Sequence, residues 1–241
     1  MIAVNGRGSG GGTLPAMCDA VERCRGEVGA LVDAALARAR GVADLAALLA
    51  GVEAAVSRAL SVGRPQGQPP PACGPGCAAC CTVNVATLGL EGAVAAAHLR
   101  AALGPARAAA LGAELAAFHD RVRWIDDDER IATRASCPLL DADRRCTIHP
   151  VRPLACRSVS SLDAADCRRA LAPGDVEGGR VVRMDLLQQA LYLEALAAAG
   201  EALERLGLDA RRRDVTGMVA AFLADAGLAP AFLAGQRLPL E

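Results

Sequence analysis

Four cysteines lie within nine residues, and this spacing constrains the fold more than any other feature of the sequence. The four form the pattern C-x3-C-x2-C-C: Cys73, Cys77, Cys80 and Cys81. Residues 74–76, Gly-Pro-Gly, allow the tight turns that direct thiols inward. Thiols in such a polar, glycine-rich stretch bury little apolar surface, so packing in a core does not explain them. The pattern predicts ligation of a metal ion or a metal cluster.

The adjacent pair Cys80 and Cys81 indicates more than one centre. Neighbouring side chains diverge, so the pair is not expected to supply two ordinary ligands to one tetrahedral ion. Two centres, or one bridged centre, would follow. The remaining thiols could come from a second group: Cys137, Cys146, Cys156 and Cys167. Some of these could equally lie beside the metal without binding it.

Two thiolate-rich centres concentrate negative charge, which must be offset where it is partly buried. Arg152 and Arg157 flank Cys156 and are the candidates for that task. Their guanidinium groups can donate to sulfur or to a loop carbonyl. The alternative is that both arginines are simply solvated.

Composition limits the classes of partner. Only 2% of the residues are aromatic, which leaves few rings to stack on bases and argues against a nucleic-acid partner. All 26 basic residues are arginine, so a catalytic lysine is excluded. No uninterrupted apolar run reaches the roughly 18 residues of a membrane span, and residues 1–17 lack the features of a signal peptide. We therefore expect a cytoplasmic protein without a membrane segment.

The chain contains ten cysteines. The cytoplasm keeps thiols reduced, so we expect these cysteines to bind metal and not to form a disulfide framework. Cys18 and Cys24 are interpreted as small packing residues of the first helix. His98 and His119 each stand alone in a predicted helix and are interpreted as surface or core histidines.

Helical periodicity recurs along the chain. Apolar residues three and four apart predict helices that include Met17 to Ala35, Leu45 to Val56, Leu90 to Ala101, Leu111 to Val122 and Val215 to Ala226. Asp185 with Gln188 resembles a capping box and predicts a further helix, which Gly207 can close. The acidic run at residues 126–129 is expected in a solvated turn. We predict a mainly α fold, a helical bundle packed around a loop-rich, cysteine-ligated metal core.

Four segments are predicted from these elements. They are a disordered leader at 1–15, a helical N-terminal arm at 16–62, a cysteine-cluster metal-binding domain at 72–170 and C-terminal helices at 184–227 that pack on the cluster domain. A Pro/Gly/Gln-rich stretch near residues 61–71 marks the main boundary.

The cysteine pattern resembles the YkgJ-type cysteine-cluster family. The first motif is followed by Cys-Pro-Leu-Leu-Asp at 137–141, Cys-Thr-Ile-His-Pro-Val-Arg-Pro at 146–153 and Cys-Arg at 156–157. Ser-Leu-Asp at 161–163 with Cys167, and Glu91, also fall at positions typical of that family. The resemblance covers residues 73–167 and implies a zinc- or iron-chelating domain. His149 stands where the family often has tyrosine, which leaves ligation by its imidazole open beside a structural or hydrogen-bonding role.

The favoured function is a metal-binding protein that holds zinc or iron, or an iron-sulfur cluster, through the eight cysteines of both groups. Thiolate suits both metals, so the spacing does not separate them. A metal ion is the one partner predicted, and the sequence identifies neither a protein partner nor a substrate.

The alternative is an iron-sulfur enzyme that modifies a protein, for example by methyl transfer to lysine. The C-x3-C-x2-C spacing also occurs in radical S-adenosylmethionine enzymes, and a branch of the resembling family is linked to lysine methylation of flagellin. The helical pattern does not match the strand-helix barrel of those radical enzymes, and no methyl-donor motif is evident. Thiol catalysis by a cysteine that His149 activates is disfavoured, because the thiols are crowded.

Overall fold

The computed structural model describes residues 14–172 and 181–239. Within them the fold is mainly α, as predicted, with ten α-helices and one pair of two-residue strands. All but the last two residues of the predicted leader at 1–15 lie outside the described residues. The division of the chain into four segments stays a prediction.

The helices are α1 (Leu14–Leu36), α2 (Val42–Gly63), α3 (Gly89–Leu103), α4 (Pro105–Val122), α5 (Asp127–Ala132), α6 (Leu154–Ser158), α7 (Ala164–Ala170), α8 (Leu186–Arg205), α9 (Val215–Ala224) and α10 (Leu228–Leu233). Short 3-10 helices span Ala79–Thr82 and His149–Val151. Strands β1 (Ala86–Thr87) and β2 (Arg213–Asp214) pair antiparallel, with Ala86 opposite Asp214.

Two groups of helices share one core. Helices α1, α2 and α8 pack against one another, while α9 packs against α3 and α4. α2 and α3 are also in contact and join the two groups. Gly92 permits the close approach of α3 and α9, because a Cβ atom there would lie 2.3 Å from Met218 Cγ. The predicted core positions Cys24 and Val28 in α1, and Leu45 and Val52 in α2, are buried.

Helix ends follow the capping signals in the sequence. Gly104 adopts a left-handed φ of 74° and ends α3, and Pro105 begins α4. The Asp185 side chain accepts from the backbone N–H of Gln188 at the start of α8, as predicted. Gly207, with a φ of 70°, follows the end of that helix.

Three expectations were wrong. Cys18 is exposed rather than a packing residue, because it lies on the polar side of α1. The acidic run does not form a turn: Asp126 and Glu129 make reciprocal side-chain to backbone hydrogen bonds that cap α5. The last predicted helical face ends early, since α9 stops at Ala224 and a separate short helix, α10, follows.

Helix α2 is the one helix in the described residues with the length and composition to cross a membrane, with a mean hydropathy of 1.6 over 18 residues. Asp44, Glu53 and Arg58 interrupt its apolar residues, so the sequence has no uninterrupted apolar run there. In the structure α2 packs against α1, α3 and α8.

Candidate metal-binding site

Hydrogen bonds between distant segments bring the two cysteine groups together. The 3-10 helix that carries Cys80 and Cys81 packs against α5 and α7, and Cys167 lies on α7. The backbone N–H of Cys137 donates to the Cys81 carbonyl at 2.8 Å. The backbone N–H of Ala72, next to Cys73, donates to the carbonyl of Ser161 at 2.7 Å. All ten cysteines carry free thiols.

A tight turn holds Cys137 and Cys146 near each other. Residues Leu140 and Cys146 form an antiparallel bridge, and the Thr147 N–H and hydroxyl both donate to the Leu139 carbonyl at 2.8 Å. Asp141 shapes the turn by accepting from two backbone N–H groups within it. Because the turn is closed by its own hydrogen bonds, the spacing of these two cysteines is set locally.

Cys156 lies on α6, whose start is anchored by a buried carboxylate. Glu91 is 1% exposed, and its Oε1 accepts from the backbone N–H of Leu154 at 2.7 Å. Its Oε2 accepts from the Thr87 hydroxyl at 2.8 Å and from the Leu88 N–H at 2.9 Å. Burial raises the pKa of Glu91, and these hydrogen bonds oppose the shift. One side chain therefore joins the starts of α3 and α6.

The outer cysteines are Cys73, Cys77, Cys80 and Cys167. Cys73 and Cys77 are exposed, and Cys80 and Cys167 are partly buried. Burial raises the pKa of Cys73, a backbone hydrogen bond from Ser161 opposes the shift, and the nearby Cys77, Cys80 and Cys167 thiols raise it further. Charges influence one another in this way only at short range, so these four thiols are neighbours.

The inner cysteines are Cys81, Cys137, Cys146 and Cys156, and all four are partly buried. The Cys81 thiol hydrogen-bonds to Cys80, which raises the pKa of Cys81 and lowers that of Cys80; burial and the thiols of Cys137 and Cys146 raise the Cys81 pKa further. Burial raises the pKa of Cys137 to about 11. Burial also raises the pKa of Cys156, to which the thiols of Cys137 and Cys146 add. The surroundings of the inner thiols therefore favour their protonated form.

The thiols are gathered but not arranged as a finished ligand shell. Within residues 14–172 and 181–239, no group of three or more His, Cys, Asp or Glu side chains has the arrangement of a metal site. The predicted ligand set of eight cysteines stays a prediction.

Arg152 lies among the thiols. Burial raises the pKa of Cys146 and of Cys156. The positive charge of Arg152 is the first influence that opposes the shift at Cys156, and at Cys146 it acts after a backbone hydrogen bond with Ile148. It also lowers the pKa of Cys80. The Nε of Arg152 is buried and has no hydrogen-bond partner among the described residues. A buried donor without an acceptor, on a side chain whose charge acts on three thiols, is a group that a thiolate of the site would satisfy.

Arg157 and His149 have different surroundings. Arg157 Nε donates to the Arg152 carbonyl at 2.9 Å, so this guanidinium supports the loop and is not freely solvated. His149 is exposed, and its pKa is lowered by partial burial and by Arg152 and Arg157 rather than by any thiol. His98, on α3, lies 3.2 Å from the Thr147 carbonyl and thereby braces the turn that carries Cys146.

Residues 72–171 match the model of the CxxCxxCC family, described as "Putative zinc- or iron-chelating domain". Residues 72–171 are similar to this family and are called the CxxCxxCC domain below. The match confirms the resemblance seen in the sequence and supports a metal ion as partner. No curated protein and no solved structure matches the chain.

Two residues outside the CxxCxxCC domain support its loop, one directly and one through the other, and the sequence analysis predicted neither. Glu53 of α2 pairs with Arg157, and the Tyr192 hydroxyl of α8 donates to Glu53 at 2.7 Å. The one signal in the sequence that could have identified Glu53 and Tyr192 is that each places a polar group on an apolar helix face. Glu91 was noticed only as a family position, without a role.

A surface groove of about 820 Å³ lies apart from the cysteines of the CxxCxxCC domain. It runs between α4 and α9, and its lining includes His119, Arg123 and Met218. His119 Nδ1 lies 3.2 Å from Asp214 Oδ1, so this histidine is held by a carboxylate as part of the helix packing. None of the eight candidate cysteines lines this groove.

Proposed function

We propose that the CxxCxxCC domain binds zinc or iron at two thiolate centres. The outer cysteines, Cys73, Cys77, Cys80 and Cys167, would hold one centre, and the inner cysteines, Cys81, Cys137, Cys146 and Cys156, would hold the other. The role is that of a non-catalytic metal-binding module. The bound metal would supply cross-links between chain segments rather than reaction chemistry.

The observation that carries this proposal is the convergence of thiols from five separate segments. The cysteine loop, the 3-10 helix, the hairpin turn, α6 and α7 contribute thiols whose pKa values depend on one another. Packing alone does not explain why so many cysteine thiols lie together in partly exposed loops. The thiols that act on Cys73 are those of Cys77, Cys80 and Cys167, whereas those that act on Cys156 are Cys137 and Cys146, and this difference favours two centres over one.

The chemistry of the surroundings fits thiolate-bound metal. Each thiol must lose its proton on ligation, which leaves net negative charge on a centre with four thiolates. Arg152 supplies a positive charge next to Cys80, Cys146 and Cys156, and its buried Nε is available as a donor. Such N–H donors to ligating groups orient them and tune metal affinity.

Anaerobic purification with elemental analysis and an absorption spectrum tests the proposal. We expect about two metal ions per chain if zinc is bound, and loss of bound metal when Cys77 or Cys137 is changed to serine. Cys18→Ser is the matched control, because Cys18 is exposed on α1 away from both groups. If the purified protein is brown and contains iron and acid-labile sulfide in matching amounts, the centres are iron-sulfur clusters and not single metal ions. Folded protein that takes up neither zinc nor ferrous iron would contradict the proposal.

A further inference from the structure

The Arg157 guanidinium is the centre of a polar cluster beneath the loop that contains Arg152. Besides its bond to the Arg152 carbonyl at 2.9 Å, its Nη2 donates to the carbonyls of His149 and Pro150, both at 3.3 Å. The backbone carbonyl of Arg157 accepts from Gln188 Nε2 of α8 at 2.8 Å. One side chain thus collects three carbonyls and fixes the path of the loop.

Glu53 and Tyr192 hold Arg157 from the opposite side. Arg157 Nη1 donates to Glu53 Oε1, and Arg157 Nε lies beside Glu53 Oε2, with both distances 3.4 Å. The side chains of Arg157 and Glu53 are only 16% and 31% exposed, so water screens this ion pair weakly. Tyr192, which is 7% exposed, donates to Glu53 Oε1 at 2.7 Å and limits the carboxylate to one orientation.

The cluster is not fully satisfied by its own hydrogen bonds. Glu53 Oε2 and Arg152 Nε are both buried without a hydrogen-bond partner among the described residues. Native folds rarely leave buried donors unpaired, so the free Nε of Arg152, on the loop between Cys146 and Cys156, points to a thiolate of that loop as its acceptor once the thiols are deprotonated by a metal. Arg152 is the member of the cluster whose charge acts on thiols, those of Cys80, Cys146 and Cys156.

We infer that Glu53 and Tyr192 are positioning residues of the metal site, although both lie outside the CxxCxxCC domain. They fix Arg157, Arg157 fixes the loop carbonyls, and the loop directs Arg152 Nε toward the thiolates. The inference rests on the proposed function. Helices α2 and α8 would then help to position the donor that acts on the metal-binding thiolates, in addition to forming the core.

The test uses the full chain with Zn²⁺ and Co²⁺ as probes. Glu53→Gln keeps the size of the side chain and an acceptor for Tyr192 but removes the negative charge opposite Arg157. We expect it to weaken zinc binding about tenfold, in the range of groups that orient metal ligands. We also expect the thiolate-to-cobalt absorption band to shift in the same direction as in Arg152→Gln.

Glu27→Gln is the matched control, since Glu27 also pairs with an arginine, Arg58, but on the exposed surface of α1 and α2. It should leave the cobalt spectrum and the zinc affinity unchanged. The double variant Glu53→Gln with Arg152→Gln should bind zinc no more weakly than Arg152→Gln alone, because both changes interrupt one chain of contacts.

Two results would overturn the inference while leaving the proposed function intact. One is a Glu53→Gln protein with wild-type zinc affinity and an unchanged cobalt band, even if its thermal midpoint falls. The other is full additivity in the double variant. Wild-type protein that takes up neither metal would overturn the proposed function, and this inference with it.

Discussion

The outer and inner cysteines differ in how the fold holds them. Cys73 and Cys77 of the outer group are exposed on a glycine-rich loop with few hydrogen bonds. Of the inner group, Cys137 and Cys146 lie on a closed hairpin turn, Cys156 lies on α6, whose start is bound by the buried carboxylate of Glu91, and Cys81 lies on a 3-10 helix. The two groups of cysteines thus differ in exposure and in how closely hydrogen bonds hold their segments. We expect the inner centre to stabilise the fold and the outer centre to exchange its metal.

Loss of an inner ligand should have the largest effect. Cys156→Ser is expected to lose the inner metal and to destabilise the chain by more than about 3 kcal/mol, since binding free energy at structural sites is folding free energy. Metal content and thermal unfolding of the purified variant measure both effects. Cys73→Ser is the comparison: it should lose only the outer metal, with a small change in the thermal midpoint. Equal destabilisation by both variants would erase the distinction between the two groups.

The second-largest effect is expected for Glu91→Gln, which should weaken the inner centre and leave the outer centre unchanged. The amide nitrogen of glutamine would face a donor at one of the three positions where Glu91 now accepts, which leaves a buried donor unpaired. We expect a loss of about 1–3 kcal/mol in the free energy of unfolding. Zinc titration should show weaker binding at the inner centre and unchanged binding at the outer one. An effect confined to the outer centre would contradict the role of α6.

Removal of metal by a chelator should occur in two phases. The exposed sulfurs of Cys73 and Cys77 give a chelator direct access, whereas the inner sulfurs are reached only when the loop or α6 opens. We expect one metal equivalent to leave several times faster than the other. A chromogenic chelator in a stopped-flow experiment measures both rates. Substitution of Cys77 by serine should remove the fast phase alone. A single phase for both equivalents would indicate one shared centre.

Raised pH should produce the smallest effect, in the metal-free chain. The pKa of Cys137 is raised from an ordinary value of 9.0 to about 11 by burial, so the unfolded chain ionises first. The contribution is complete below pH 9 and is lost as pH rises toward 11. We expect the Cys137 thiol to account for a loss of about 1 kcal/mol by pH 10, measured as the difference between the wild-type chain and Cys137→Ala in denaturant unfolding at several pH values. Cys137→Ala should reduce this loss, and Cys73→Ala should reduce it less.

Local patterns were sufficient for most of the helices and for the cysteine motif. A helix face repeats every three or four residues, so the buried positions Cys24, Val28 and Leu45 follow from spacing alone. Cys18 was misassigned although that same spacing excludes it from the buried face. The Asp126 to Glu129 cap carries a recognisable signature that was interpreted only as charge. Helix α10 was missed because it is short and contains Pro230.

The support of the site could not be predicted in the same way. Glu53 lies 104 residues from Arg157 and 139 residues from Tyr192 along the chain. Nothing in local spacing links such residues, since their contact depends on how α2 and α8 pack. The sequence identified Arg152 and Arg157 as charge-balancing candidates because they flank a cysteine. The structure adds what holds each of them.

The packing of α6 on α8, and of α3 on α2 and α9, carries a practical consequence for where this protein is cut. A fragment of residues 72–171 would keep every candidate ligand but lose α8, which packs on α6, and α2 and α9, which pack on α3. Its newly wetted apolar faces would favour aggregation. The boundaries of the family match are therefore not the boundaries of a unit that folds on its own. Experiments on the isolated cysteine segment would describe a different molecule.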